Sequence, residues 1–313
     1  MDKSIAIRAV KLTRRFGEIS AVNNLSLEIQ RGGVFGFLGP NGAGKTTAIH
    51  MICGLLKPTD GDVEFFDESG EKTIRSKSNV GLCPQDIIIW SKLTCIEQLQ
   101  FMGEMYGMNT KEARKRGNEL LDMLGLEAKR KKLAKTLSGG MKRRLNLCLA
   151  LIHDPDIVIL DEPEAGLDPQ SRILVREFIK DIGKQKTVIL TTHNMDEADR
   201  MADMVAIIDR GSLLMLETPD NLKKSTGEGD TLEITLKDAN INTLQLKNLL
   251  SEFADHIQIS ESTIIMKVKN SVEKIPRISF ILNNEAIPVQ EIKMRENTLE
   301  DVFIHLTGRG LRE

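Results

Sequence analysis

Gly39-Pro40-Asn41-Gly42-Ala43-Gly44-Lys45-Thr46 decides the fold. These eight residues match GxxxxGK[ST] at every defined position. The run before them, Val34-Phe35-Gly36-Phe37-Leu38, is short and continuously apolar, as expected of a strand buried on both faces. The stretch after them, Thr46–Leu56, reads as a helix. Strand, glycine loop and helix together make a phosphate-binding loop, here Gly39 to Thr47. Its glycines let backbone amides close around phosphate oxygens, Lys45 reaches the β/γ oxygens of a nucleotide, and the Thr46 hydroxyl ligates Mg²⁺.

A second glycine-rich segment, Leu137-Ser138-Gly139-Gly140-Met141, comes about a hundred residues later. Ser138 is a good N-cap for a helix over Gly139 to Ile152, so this segment too offers amides and a helix N-terminus to a phosphate. A chain with one nucleotide loop needs a reason for two phosphate contacts. The economical reason is that Ser138, Gly139 and Gly140 serve the ATP of a neighbouring chain.

Further chemistry lies at the ends of apolar runs. Ile157-Val158-Ile159-Leu160 ends in Asp161-Glu162. Asp161 suits the Mg²⁺ shell, and Glu162 suits orienting and polarising the attacking water. Val188–Leu190 delivers Thr191-Thr192-His193, and a histidine one strand beyond the carboxylates reads as a γ-phosphate sensor. Gln85, in Leu82-Cys83-Pro84-Gln85, reads as a metal and water ligand that also reports to the helices after it. Phe16 is read as an adenine-stacking ring, with a place in the core as the alternative.

The rest of the chain organises around these points. Residues 5 to 37 alternate in the β manner. From about 86 to 153 the sequence turns helical, with Thr94-Cys95-Ile96-Glu97 as a capping box and Asn109 and Glu112 opening a second helix. A helical patch inserted into a parallel α/β core is the expected arrangement. Gly227-Glu228-Gly229-Asp230 reads as a boundary, giving a first domain over 1–226 and a second over 230–313. The second follows β-α-β-β-α-β, with a terminal helix striped by Leu299, Val302, Phe303 and Leu306. The basic run Lys129–Lys135 reads as a solvated helix end or loop.

Composition limits the alternatives. Of 313 residues, 41% are hydrophobic and 28% charged, and the formal net charge is −2. That gives no overall electrostatic case for a nucleic-acid partner. The N-terminus lacks the apolar run of a secretory signal, and no stretch approaches a spanning helix, so any membrane role is expected to come through a partner chain. Cys53, Cys83, Cys95 and Cys148 show no metal-ligand or CxxC spacing and read as reduced, small apolar residues of a cytosolic protein.

In this order, the motifs resemble the ATP-binding subunit of an ABC transporter, over roughly residues 5 to 220. They comprise the P-loop at 39–47, Q-loop Gln85, signature 137–141, Walker B 157–162, D-loop Gly166-Leu167-Asp168 and switch histidine His193. The tail from Thr298 through Arg309 is similar to the end of the export branch that serves ABC-2-type permeases, a branch that includes drug-resistance and sodium-extrusion subunits. The resemblance implies an α/β P-loop NTPase cassette, with a mixed sheet core and an inserted helical subdomain, followed by a small α+β domain. It also implies ATP and Mg²⁺ as cofactors, Asp168 near the nucleotide, and a head-to-tail dimer with a second copy or a related cassette. A separate ABC-2-type permease would hold the protein peripherally on the cytoplasmic face of the membrane. Gln85 and Ile87–Trp90 would lie where that permease docks, although Ile87–Ile89 suit a core equally.

Two departures stand out: Met141 replaces a frequent glutamine, and Glu164 replaces the usual Thr or Ser. A carboxylate at 164, close to Glu162, is expected to raise a carboxyl pKa or alter the D-loop hydrogen bonds. The rival functions are an importer subunit and a soluble ABC ATPase acting on nucleic acid or ribosomes. The second domain carries no catalytic constellation; regulation, bracing and dimer support are all open, with dimer support preferred.

Overall fold

The computed structural model describes residues 4–67, 69–73, 80–225, 229–237, 243–254, 257–260 and 262–308. Gly227 and Glu228 of the expected boundary, and Arg309 of the tail, lie outside the described residues. Two compact units divide between Pro219 and Asp220.

The first unit contains two sheets. Four strands, β1 (Ile5–Phe16), β2 (Ile19–Gln30), β4 (Asp60–Phe66) and β5 (Lys72–Thr73), form an antiparallel sheet in the order β2-β1-β4-β5. The second sheet contains β3 (Gly33–Leu38), β6 (Val80–Cys83), β7 (Ile157–Asp161), β8 (Thr187–Thr192), β9 (Met204–Asp209) and β10 (Ser212–Glu217), in the order β10-β9-β3-β8-β7-β6. Five of these strands run parallel and only β10 is antiparallel, so the core is mixed rather than wholly parallel. Every residue of β7 and β8 is buried, which is why Ile157–Leu160 and Val188–Leu190 are continuous apolar runs instead of alternating ones. Helices α1 (Lys45–Ile52), α5 (Pro169–Gly183) and α6 (Met195–Met201) follow β3, β7 and β8 respectively.

The register of the second sheet positions the site. Leu38 pairs with Thr192, Asp161 with Thr191, and Cys83 with Leu160. The loops after β3, β8, β7 and β6 therefore leave four neighbouring parallel strands at the same edge. The carboxyl ends of parallel strands are where open α/β sheets place their ligands.

Between β6 and β7 lies the expected helical insert: α2 (Cys95–Met105), α3 (Thr110–Met123) and α4 (Gly139–Leu151). Thr94 and Glu97 form the capping box, Asn109 accepts from the Glu112 amide, and Ser138 accepts from the Met141 amide. Each cap occupies one of the amides that a helix start leaves unpaired. Within 129–135, Ala134 is buried and Arg130 pairs with Asp122. All four cysteines are buried free thiols, and burial pushes that of Cys83 up to about 12.

The second unit begins within α7 (Pro219–Ser225), followed by β11 (Asp230–Leu236), α8 (Thr243–Leu250), β12 (Ile257–Ser260), β13 (Thr263–Val268), α9 (Ser271–Asn284), β14 (Val289–Arg295) and α10 (Leu299–Thr307). The sheet order β12-β13-β11-β14 is antiparallel throughout and has the expected split βαβ connectivity. Leu232, Ile234, Leu246, Leu250, Ile264, Met266, Ile278 and Leu282 fill its core. Among the described residues, no helix is long and apolar enough to cross a membrane.

Candidate active site

The glycine loop folds tightly against its own unit. Gly44 caps α1 at φ 99°, and a Cβ there would stand 2.3 Å from the Ala21 carbonyl. At Gly39 a Cβ would meet the Ile208 carbonyl at 2.2 Å. Backbone occupies both places, so only glycine fits. Lys45 is buried, and its Nζ donates to the carbonyls of Gly39 (2.8 Å) and Pro40 (3.0 Å). Burial lowers the Lys45 pKa, against the opposing charges of Glu162 and then Asp161. Pro40 also accepts from the Ala43 amide, while Asn41 and Gly42 are exposed at the loop tip. Thr46 and Thr47 lie in the first turn of α1.

Thr46 Oγ1 donates to Asp161 Oδ1 at 3.3 Å, joining the glycine loop to the end of β7. Asp161 is buried and also accepts from the Thr191 hydroxyl. That same hydroxyl accepts from the Glu162 amide at 3.0 Å. Thr191 therefore links β8 to both carboxylate residues, which the sequence reading missed.

Glu162 sits at φ 48°, the left-handed region that a non-glycine residue occupies at a cost of ~1–3 kcal/mol. The conformation turns its carboxylate towards two of the expected site residues. His193 Nδ1 lies 2.8 Å from Oε1, and Gln85 Nε2 donates to Oε2 at 3.4 Å. Glu162, His193 and Gln85 are thus gathered from three separate strand ends.

Other residues stand apart from this cluster. Phe16 is exposed at the end of β1, with the Arg14 guanidinium 4.6 Å from its ring centroid. This geometry overturns the core alternative for that ring. Asp168 caps α5 by accepting from the Ser171 amide at 3.0 Å. A Cβ on Gly140 would meet Leu167 at 3.4 Å and Asp168 Oδ2 at 3.6 Å, so the signature segment abuts the D-loop of its own chain. Among the described residues, no hydrogen bond joins 138–141 to 39–47. Ser138 and Gly139 are exposed. Ile87, Ile88 and Trp90 are exposed as well, contrary to a core role for the first two.

A carboxyl pKa is raised near the D-loop, and it is that of Glu164 itself. Burial, followed by the charge of Glu197 and a hydrogen bond with it, pushes this carboxyl up to about 8. Arg176 holds Glu197 through two hydrogen bonds of 2.8 and 3.0 Å, and Arg172 and Arg176 both oppose the rise at Glu164. The folded pKa exceeds the ordinary value of 4.5. The stabilisation from the retained proton is therefore complete below about 4.5 and is lost as pH rises through about 8. Glu164→Gln keeps the donor and cannot ionise. Its thermal midpoint is expected to change less than that of the parent chain between pH 5 and 9. Parallel midpoint curves for the two proteins would contradict the retained proton.

Comparison with known proteins agrees with this arrangement. The ABC transporter family pattern matches residues 22–165. The linearmycin resistance ATP-binding protein LnrL of Bacillus subtilis is 34% identical, over 98% of this chain and 100% of its own length. The Nod factor export ATP-binding protein I of Ralstonia nicotianae is 35% identical, over 96% of this chain and 94% of that one. The daunorubicin resistance ATP-binding protein DrrA3 of Streptomyces coeruleorubidus is 33% identical, over 96% and 95% respectively. A solved ATP-binding subunit of an ABC transporter superposes with a TM-score of 0.63 at 25% identity, covering 71% of this chain and 93% of that chain. A dimeric cassette in a post-hydrolysis state, bound to ADP and Pi, gives 0.60 at 26% identity, over 68% and 98%. With its strand-end cluster and its full-length relatives, the chain belongs to the ABC transporter family as an ATP-binding subunit and ATP hydrolase.

Proposed function

We propose that this subunit powers an exporter, closing as a dimer around two ATP molecules and passing the resulting motion to a separate ABC-2-type permease. One observation supports the dimer: Ser138 and Gly139 are exposed, and among the described residues no hydrogen bond joins 138–140 to the glycine loop, so this second phosphate-binding segment is free to meet the nucleotide of another chain. A second cassette, identical or related, supplies its own such segment across the interface. The names of the three relatives, each concerned with resistance or export, support the direction of transport.

Within each half-site, the amides of Gly39–Thr47 and the Lys45 ammonium hold the phosphates, and Phe16 stacks on the adenine. Thr46, Asp161 and Gln85 offer hard oxygen donors, two of them already within 3.3 Å of each other, a set that suits Mg²⁺. The ion, when bound, neutralises charge on the phosphate oxygens. Glu162 orients the attacking water and takes its proton, while His193 holds Glu162 and senses the γ-phosphate. Asp168 and the partner's signature segment close the site from the other side.

The permease docks on the apolar recess beside Gln85. Ile88, Trp90, Leu55, Met102, Tyr106 and Leu149 line this 630 Å³ cavity between core and insert. The subunit would then work at the cytoplasmic face of the membrane without spanning it. Ser138→Arg tests the dimer. Its ATP affinity is expected to match the parent within about twofold, while ATP-dependent dimerisation, followed by light scattering, is lost. A Ser138→Arg chain that still dimerises with ATP would remove the trans role of the signature.

A further inference from the structure

Arg143 lies on α4, five residues after Ser138, and is one of the largest fully buried side chains in the protein. Its guanidinium forms no ion pair with any described carboxylate. It is surrounded by backbone carbonyls from two strand ends. Nη1 donates to Pro84 (3.2 Å) and to Gln85, on the loop that leaves β6. Nη2 donates to Asp161 (3.0 Å) and to Glu162, at the end of β7, and Nε lies 3.4 Å from the Pro163 carbonyl. Asn146, one turn further along α4, donates to the Asp86 carbonyl and to the Cys83 thiol.

The chemistry is specific to this side chain. A guanidinium presents its N–H groups in a rigid planar fork, whereas a lysine ammonium is a point donor on a flexible stem. Only the fork can grip the ends of two neighbouring strands at once. The backbone of Glu162 is thereby fixed at both ends: its amide donates to Thr191, and its carbonyl accepts from Arg143. That clamp opposes relaxation of the left-handed Glu162 backbone, which holds the carboxylate against His193 and Gln85.

The geometry points to Arg143 as a positioning residue that ties the signature helix and the Gln85 loop to Glu162. A displacement of α4 when its N-terminus meets the partner's ATP, or of the Gln85 loop when the permease docks, reaches the hydrolytic carboxylate through one guanidinium. The inference rests on the assignment of Glu162 as the water-activating residue, and it assigns Arg143 no contact with nucleotide.

Steady-state and single-turnover ATP hydrolysis by the full chain tests it, with Arg143→Lys and Arg143→Gln as paired variants and thermal melting to establish that each folds. Arg143→Lys keeps the charge and the aliphatic stem, and Arg143→Gln keeps a neutral donor, so at least one folded variant is expected. In a folded variant, kcat is expected to fall tenfold or more while KM for ATP stays within twofold. Combined with Glu162→Gln, the same substitution is expected to lower the residual turnover no further, because it acts through the group already removed. A kcat within twofold of the parent overturns the proposal, as does a loss that multiplies with that of Glu162→Gln. If Glu162→Gln alone leaves turnover intact, the assignment of Glu162 has failed, which is a separate result.

Discussion

Glu162→Gln is expected to bind ATP as tightly as the parent chain and to hydrolyse it about 10²- to 10⁴-fold more slowly, the range spanned by removing a positioned general base. The substitution keeps shape and hydrogen-bonding length, so the contacts to His193 and Gln85 persist in altered polarity. What disappears is the ability to accept a proton from water. The groups proposed to hold the phosphates are untouched, since Lys45 and the glycine loop follow β3 whereas Glu162 follows β7. ATP binding and ATP-driven closure therefore continue while the step that reopens the dimer stalls. An ATP-bound dimer should accumulate, visible by size-exclusion chromatography with light scattering, and nucleotide titration should give an unchanged dissociation constant. Turnover within tenfold of the parent would exclude Glu162 as the base. Loss of ATP binding together with turnover would mean that the loop after β7 had been disturbed rather than its chemistry.

The features governing this expectation differ in how visible they are before folding. β3, β7 and β8 are legible because parallel strands with both faces covered carry continuous apolar runs, and these runs lead to Gly39, Asp161 and His193, which are chemically conspicuous. The register that aligns these ends is not written locally, but crossover connections in a parallel sheet leave few alternatives. β10 escapes notice because an edge strand is only half-buried and reads as a weak pattern. Arg143 is less visible still. It is followed by Arg144, with the same helix propensity and the same charge, and only tertiary packing decides which guanidinium enters the core. Thr191 hides in the same way, since a hydroxyl in an apolar strand announces nothing about the amide and carboxylate it joins. Glu164 shows the intermediate case. Its departure from the family pattern is visible, yet the partner that raises its pKa comes from α6 and not from the neighbouring Glu162.

Lys45→Ala should separate nucleotide binding from turnover in the opposite sense. The ammonium is buried, donates to the Gly39 and Pro40 carbonyls, and lies in the fields of Glu162 and Asp161. A phosphate drawn into the loop would find a desolvated cation already held in place, so little ordering is required on binding. Hydrogen bonds to charged groups contribute about 1.5–3 kcal/mol. At about 1.4 kcal/mol per factor of ten, the alanine variant should bind ATP roughly 10- to 150-fold more weakly. Removing the side chain also deprives two loop carbonyls of a donor, so a small loss of thermal stability without nucleotide is expected as well. The two effects separate in a melting series against ATP concentration, because ligand stabilisation depends on the ratio of free ligand to dissociation constant. The midpoint without ATP reports the loop. The concentration needed to reach a given upward shift reports the phosphate contact, and it should rise by the same factor as the dissociation constant. Equal ATP affinity in the two proteins would remove Lys45 from the phosphate site, whatever the variant did to turnover. If affinity falls as expected, Lys45→Ala should lose both the ATP-bound dimer and hydrolysis at ATP concentrations where Glu162→Gln retains the dimer alone.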